Sequence, residues 1–319
     1  MALFSYQVGD ERHQADRSWY RGDDCNFLPS KTNLAEPGAI RKYILHGWVP
    51  DSPVISRDAT VLAVGSCFAR HIVRYLRSLR SPLKINEGSD VNLFAFGAGF
   101  VNTSTLRQQF EWSLGRREIT TATLKVEDRS MPPTGRNKAF RKIRHMPTDA
   151  ATRRATRDAI LAADAFILTL GLSEVWYEKD SGDVFFGAVP RADFDPDKHG
   201  FRVVPVEENL DNLRALVALL REFKPRAPVV LTLSPVPLIA TFRPVSCITA
   251  DSVSKSILRV AADELVRESG DDRLFYWPSY EIIREYYGPD AYQDDRRHVK
   301  PQIIDRIMGM FVRRFIESG

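Results

Sequence analysis

Three polar residues of this sequence, one of them far along the chain from the other two, are suited to one nucleophilic chemistry. Ser66 stands in Gly65-Ser66-Cys67-Phe68-Ala69, directly after the apolar run Thr60-Val-Leu-Ala-Val-Gly65. A serine between a buried strand and a helix meets backbone N–H groups and the positive end of the helix dipole, both of which favour a developing oxyanion. The same place suits a serine that only caps the helix. Asp295-Arg-Arg-His298 supplies the rest of the need: a base to take the hydroxyl proton, and a carboxylate three residues earlier to hold that base in one tautomer. Of the six histidines, His298 is the one with an aspartate at this spacing in a late polar segment. Cys67 is the neighbouring alternative to Ser66, and Asp294 to Asp295. Cys67 falls on the apolar side of the following helix and is expected to pack inward, and the spacing favours Asp295. A fourth piece, Gly171-Leu-Ser173-Glu174, follows a second apolar run and offers a glycine N–H or a small polar side chain to an oxyanion. Ser173 is equally placed to cap a turn.

These residues need elements that bring them together. Apolar, β-rich runs predict strands at 60–65, 165–171, 228–233 and 273–276. Helical periodicity predicts helices at 68–79, 150–163, 207–223 and 252–268, and Ile303, Ile304, Ile307, Phe311 and Phe315 mark a closing helix. Residues 175–177 and 184–186 flank a Lys-Asp-Ser-Gly turn and read as a hairpin. Strands alternating with helices predict an α/β fold with a mainly parallel sheet covered on both faces. Ligands of such sheets bind beyond the carboxyl ends of the strands, so Gly65-Ser66, Gly171–Ser173 and Ser234–Pro237 are expected to share one rim. Residues 1–58 read as an irregular arm packed on the core. Residues 59–319 read as one domain with a basic insertion near 130–157.

Composition closes off other classes. A hydrophobic content of 44% is too high for a disordered chain, and 18 glycines with 19 prolines exclude a collagen-like one. No apolar run reaches the ~18 residues of a membrane span, and the first residues turn polar too soon for a signal peptide, so a cytoplasmic protein is expected. Three cysteines without CxxC or zinc spacing suit a reducing compartment and suggest no metal or cofactor. The excess of 45 basic over 41 acidic residues is partly local, with Arg136, Lys138, Arg141, Lys142, Arg144, Arg153, Arg154 and Arg157 close together. That cluster reads as a solvated face before it reads as a polyanion contact. No nucleic-acid motif accompanies it, so nucleic acid is not expected as a partner.

Gly65-Ser-Cys-Phe-Ala69 resembles the signature of the GSCFA family, which is related to the SGNH/GDSL hydrolases. Thr169-Leu-Gly-Leu-Ser-Glu-Val-Trp176, Leu233-Ser-Pro-Val-Pro237 and Trp277-Pro-Ser-Tyr-Glu281 match further blocks in the same order. The resemblance implies a flavodoxin-like three-layer α/β/α sandwich and a serine esterase or acyltransferase. In it Ser66 is the nucleophile, His298 the general base and Asp295 its orienting carboxylate. In the wider superfamily a block-two glycine and a block-three asparagine bind the oxyanion. Here Gly97 or Asn102 stands for the first, and Gly171–Ser173 offers serine where asparagine is usual; Glu174 and Trp176 border the same place. Trp176, Tyr177 and Trp277 are expected on loops near the rim, where aromatic faces suit an O-acylated carbohydrate or oligosaccharide ester. The altered oxyanion block motivates an alternative, a catalytically quiet carbohydrate-binding module on the same scaffold.

Overall fold

The structure is a computed structural model that describes residues 3–8, 10–16, 26–78, 84–85, 102–119, 150–189 and 191–317. It divides into two compact units, Met1–Ile44 and Leu45–Gly319. The first contains an antiparallel hairpin, β1 (Leu3–Val8) and β2 (Glu11–Asp16), and a short helix, α1 (Lys31–Ala35), whose N-terminus Ser30 caps. The reading of these residues as irregular missed the hairpin because Glu-Arg-His-Gln-Ala-Asp carries one apolar residue and so shows no alternation.

The second unit is built on a parallel sheet of β3 (Thr60–Gly65), β4 (Lys84–Ile85), β5 (Ala165–Leu170), β8 (Val229–Leu233) and β9 (Leu274–Trp277), in the order β4-β3-β5-β8-β9. Numbered from β3, this is the 2-1-3-4-5 order of flavodoxin-like sheets. β5 and β8 are buried along their whole length because helices cover both faces. Leu62, Val64, Phe166, Leu168, Leu231 and Tyr276 point into one core. That core is shared with α3 (Thr103–Ser113), α4 (Ala150–Ala162), α5 (Val206–Phe223) and α6 (Cys247–Glu268). The opposite face takes α7 (Pro301–Phe315), where Trp277 packs edge-on to Phe311 and Phe315. Helix α2 (Cys67–Ser78) follows β3 directly and buries Phe68, Ile72, Val73 and Leu76. The result is the expected three-layer α/β/α arrangement. Residues before β3 belong to this unit too: the N–H groups of Val54 and Ile55 donate to the Phe315 carbonyl at 3.0 and 2.8 Å.

Three local features go beyond or change the expectations. β6 (Glu174–Glu178) has two antiparallel neighbours: the expected turn brings residues 183–185 against it, with the Glu178 N–H donating to the Asp183 carbonyl and the Phe185 N–H to the Trp176 carbonyl, each at 2.9 Å, and β7 (His199–Val203) pairs along its other edge. Gln108 of α3 holds the outer edge of this turn: its amide nitrogen donates to the Val184 carbonyl at 3.1 Å and its amide oxygen accepts the Val184 N–H at 2.9 Å. Helix α3 itself showed no apolar stripe because Ser104, Thr105, Gln108, Gln109 and Ser113 are buried alongside Leu106 and Phe110. Trp277 lies on β9 and is fully buried, so it presents no face to a ligand at the rim. Among the described residues no helix is long and apolar enough to cross a membrane. Most of the basic insertion lies outside the described residues; its last part forms the start of α4, where Arg153 pairs with Glu118 at 2.8 Å.

Candidate active site

Parallel strands end together, so the segments after β3, β5 and β8 are adjacent at one edge of the sheet. Two hydrogen bonds fix their arrangement: the Ser66 N–H donates to the Thr169 carbonyl at 3.1 Å, and the Ser234 N–H donates to the Leu170 carbonyl at 2.7 Å. Consecutive carbonyls of β5 thus point to opposite neighbours, as a parallel ladder requires. Among the described residues every peptide bond is trans, which sets each N–H antiparallel to the preceding carbonyl. The Leu170 carbonyl faces β8, so the Gly171 N–H faces the β3 side, where Ser66 sits. Among the described residues this N–H has no hydrogen-bond acceptor.

Ser66 is almost completely buried, and it caps α2. Its Oγ accepts the Phe68 N–H at 3.2 Å and its carbonyl accepts the Ala69 N–H at 2.9 Å. Capping uses Oγ as an acceptor and leaves the hydroxyl proton available to a base. Gly65 makes the turn possible. Its φ is +125°, and a Cβ there would overlap the Thr169 carbonyl oxygen and stand 2.8 Å from the carbonyl carbon. Cys67 opens α2, and its side chain lies outside the described residues.

His298 and Asp295 occupy a tight loop that closes on itself. The Gln293 N–H donates to the His298 carbonyl at 2.8 Å, and Arg296 adopts a left-handed φ of 53°. Asp295 Oδ1 accepts the N–H groups of Arg297 and His298 at 3.0 and 2.9 Å, while Oδ2 meets His298 Nδ1. The His298 bond, aided by the two backbone N–H groups, holds the Asp295 carboxyl far below the usual carboxylate range. An ionised carboxylate only accepts, so Nδ1 carries a proton, and in the neutral imidazole the lone pair is on Nε2. Asp295, not Asp294, makes this contact. The loop is tied to the segment after β8: Tyr292 donates its hydroxyl to the Pro235 carbonyl at 2.9 Å, and Arg297 Nε donates to the Pro237 carbonyl at 3.4 Å. Among the described residues no hydrogen bond joins Ser66 and His298; in ligand-free sites such bonds commonly tighten only when substrate binds.

Burial lifts the Tyr292 hydroxyl from 10.0 to about 12, with the Arg284 guanidinium opposing the shift. Between these two values the unfolded chain has released a proton that the folded protein keeps, so stability falls as pH rises through this window. Thermal melts of the wild type are expected to lose stability from about pH 10 to 12, and Tyr292→Phe is expected to lack that part of the slope. Identical slopes would mean that this hydroxyl does not anchor the loop.

The other candidates that the structure describes are engaged in holding the fold. Ser173 is fully buried and gives both its N–H, at 2.7 Å, and its hydroxyl, at 3.2 Å, to Ser254 Oγ on α6. Both donors are already engaged, so neither is left for an oxyanion. Glu174 is buried and accepts Thr241 Oγ1 on both carboxylate oxygens at 2.9 and 2.8 Å, which holds the β8–α6 connection. Trp176 lies among Phe194, Phe201 and Phe242, and its buried Nε1 has no acceptor among the described residues. Asn102 caps α3, its side-chain oxygen accepting the Thr105 N–H at 2.8 Å. Gly97 lies outside the described residues.

Reading the sequence missed a polar stripe on α6. Asp251, Ser254 and Lys255 are buried on the face that continues as Leu258, Ala261, Ala262 and Leu265. The signal was present: polar residues fall where the helical period of the apolar stripe calls for core residues. Asp251 Oδ1 accepts the Leu238 N–H at 2.9 Å, so this stripe grips the segments after both β5 and β8. Among the described residues no group of three or more histidine, cysteine, aspartate or glutamate side chains is arranged to hold a metal.

A model of the GSCFA family matches residues 60–311, from the first residue of β3 well into α7. No curated protein matches the chain.

Proposed function

The chain belongs to the GSCFA family, and from that premise we propose that it is a serine-dependent acyl-ester hydrolase working through an acyl-enzyme on Ser66. The observation that carries the reading is the Asp295–His298 pair. A self-closed loop fixes the tautomer that leaves Nε2 free to accept a proton, and the loop is anchored at the rim that bears Ser66. His298 Nε2 takes the Ser66 proton as Oγ bonds to the ester carbonyl carbon, and the carbonyl electrons move to oxygen. The Gly171 N–H, together with the positive end of the α2 dipole, faces that oxyanion. The carbon–oxygen bond to the alcohol then breaks, with the His298 proton going to the leaving oxygen. Water repeats the sequence on the acyl-enzyme, giving its proton to His298 and releasing the acid as Oγ regains a proton. An acceptor alcohol in place of water would make the same site a transferase.

O-acylated carbohydrates remain the substrate class for the first assays. With Trp277 inside the core, Trp176 and Tyr177 are the rings that support it. The second reading, a catalytically quiet carbohydrate-binding module, is favoured by the capping of α2 by Ser66 Oγ. A fluorophosphonate probe separates the two, because it bonds only to an activated serine hydroxyl. Labelling that maps to Ser66 by peptide mass spectrometry is expected. An unlabelled, folded protein would favour the binding module.

A further inference from the structure

We propose that Lys255 is a positioning residue for the oxyanion side of this site. Lys255 is 1% exposed, and its ammonium donates to the Gly171 carbonyl at 2.5 Å and to the Val236 carbonyl at 2.9 Å. An ammonium is costly to take out of water unless hydrogen-bonding groups replace its hydration. Here the replacements are backbone carbonyls of two rim segments, one after β5 and one after β8. A structural lysine could be accommodated anywhere in a core this large; this one joins the two segments that flank the candidate chemistry.

The consequence follows from peptide geometry. Gly171 contributes two adjoining peptide planes. The Leu170 carbonyl, held by the Ser234 N–H, sets the direction of the Gly171 N–H, and Lys255 holds the next carbonyl, that of Gly171 itself. With both carbonyls held, the glycine, otherwise the most mobile residue in the segment, has one orientation. Ser254, the residue before Lys255, fixes Ser173 two positions further on. Lys255 also places a positive charge next to this segment, of the sign that favours negative charge on a bound oxyanion. It touches no substrate in this arrangement. It acts through Gly171.

The kinetic half of this inference rests on the proposed hydrolase; the conformational half does not. Lys255→Met keeps the length of the side chain and removes the charge and its donors. Hydrogen exchange followed by mass spectrometry is expected to speed up at residues 170–173 and 234–238, with exchange in α5 and β9 unchanged. On p-nitrophenyl acetate, kcat is expected to fall about 10–100-fold with KM within about 2-fold, and fluorophosphonate labelling of Ser66 to slow by the same factor as kcat. Lys255→Arg, which retains charge and donors, is expected to recover part of both. A folded Lys255→Met protein with wild-type exchange at both segments overturns the positioning role. So does wild-type kcat in that protein when Ser66 of the wild type is labelled. Absence of labelling in the wild type overturns the hydrolase instead, and the exchange result then decides the positioning role alone. If Lys255→Met fails to fold, Lys255→Gln, uncharged and too short to reach both carbonyls, carries the same measurements, and wild-type exchange and kcat in it would overturn the proposal.

Discussion

Replacing Ser66 with alanine is expected to lower turnover of p-nitrophenyl acetate by at least about 10⁴-fold while leaving the fold intact. The hydroxyl is the only atom removed, and with it the capping bond to the Phe68 N–H, worth about 1 kcal/mol of helix stability. A small fall in melting temperature should therefore accompany a very large fall in rate. Asp295→Asn tests the other end of the same arrangement. The asparagine has a single acceptor oxygen, which the N–H groups of Arg297 and His298 claim. Its NH₂ group then faces His298 Nδ1 and drives the imidazole proton to Nε2, where it blocks acceptance from Ser66. A loss of about 10²–10⁴-fold is expected. Steady-state kinetics on both variants checks the pair. Near-wild-type turnover in either would remove Ser66 or the Asp295–His298 pair from the mechanism.

Gly65→Ala is expected to be among the most destabilising substitutions of one small residue by another. Two penalties combine: a φ of +125° that alanine rarely adopts, and a Cβ driven into the backbone of Thr169, 2.8 Å from its carbonyl carbon and 2.9 Å from its Cα. Strain and overpacking of about 1–3 kcal/mol each put the loss near 3 kcal/mol. At about 2–4 °C per kcal/mol for a domain of this size, the melting temperature should drop by roughly 6–12 °C. The effect on chemistry should be larger still, because β3 and β5 must separate where the Ser66 N–H meets the Thr169 carbonyl. A shift of about 1 Å in the nucleophile can cost about 10²-fold in rate. Gly187→Ala is the control, since nothing lies within 4 Å of a Cβ there, and it should change stability by less than about 0.5 kcal/mol. Calorimetry on both variants reads the difference, and equal melting temperatures would contradict the close approach of β3 to β5.

The sequence by itself determined the layers and the rim. Buried parallel strands are apolar along their whole length and amphipathic helices carry their stripe in every turn, so β3, β5, β8, α2, α5 and α7 were legible from local pattern. The Asp-x-x-His loop was legible for the same reason: its partners are three residues apart, and the contact is made within one turn. What lay hidden depends on groups distant in sequence. Helix α3 buries polar side chains whose partners, Asn209, Asn212 and Val184, lie about a hundred residues or fewer downstream, so no local period announces it. Ser173 looked like an oxyanion donor until Ser254, on a helix 81 positions away, took both its donors. The direction of the Gly171 N–H is set by β8 through Ser234 and by α6 through Lys255, and neither relation is written in the residues around Gly171. A strand's side chains follow from its own sequence; where its last free amide points is decided by the neighbours that hold its carbonyls. Only the tertiary structure supplies them.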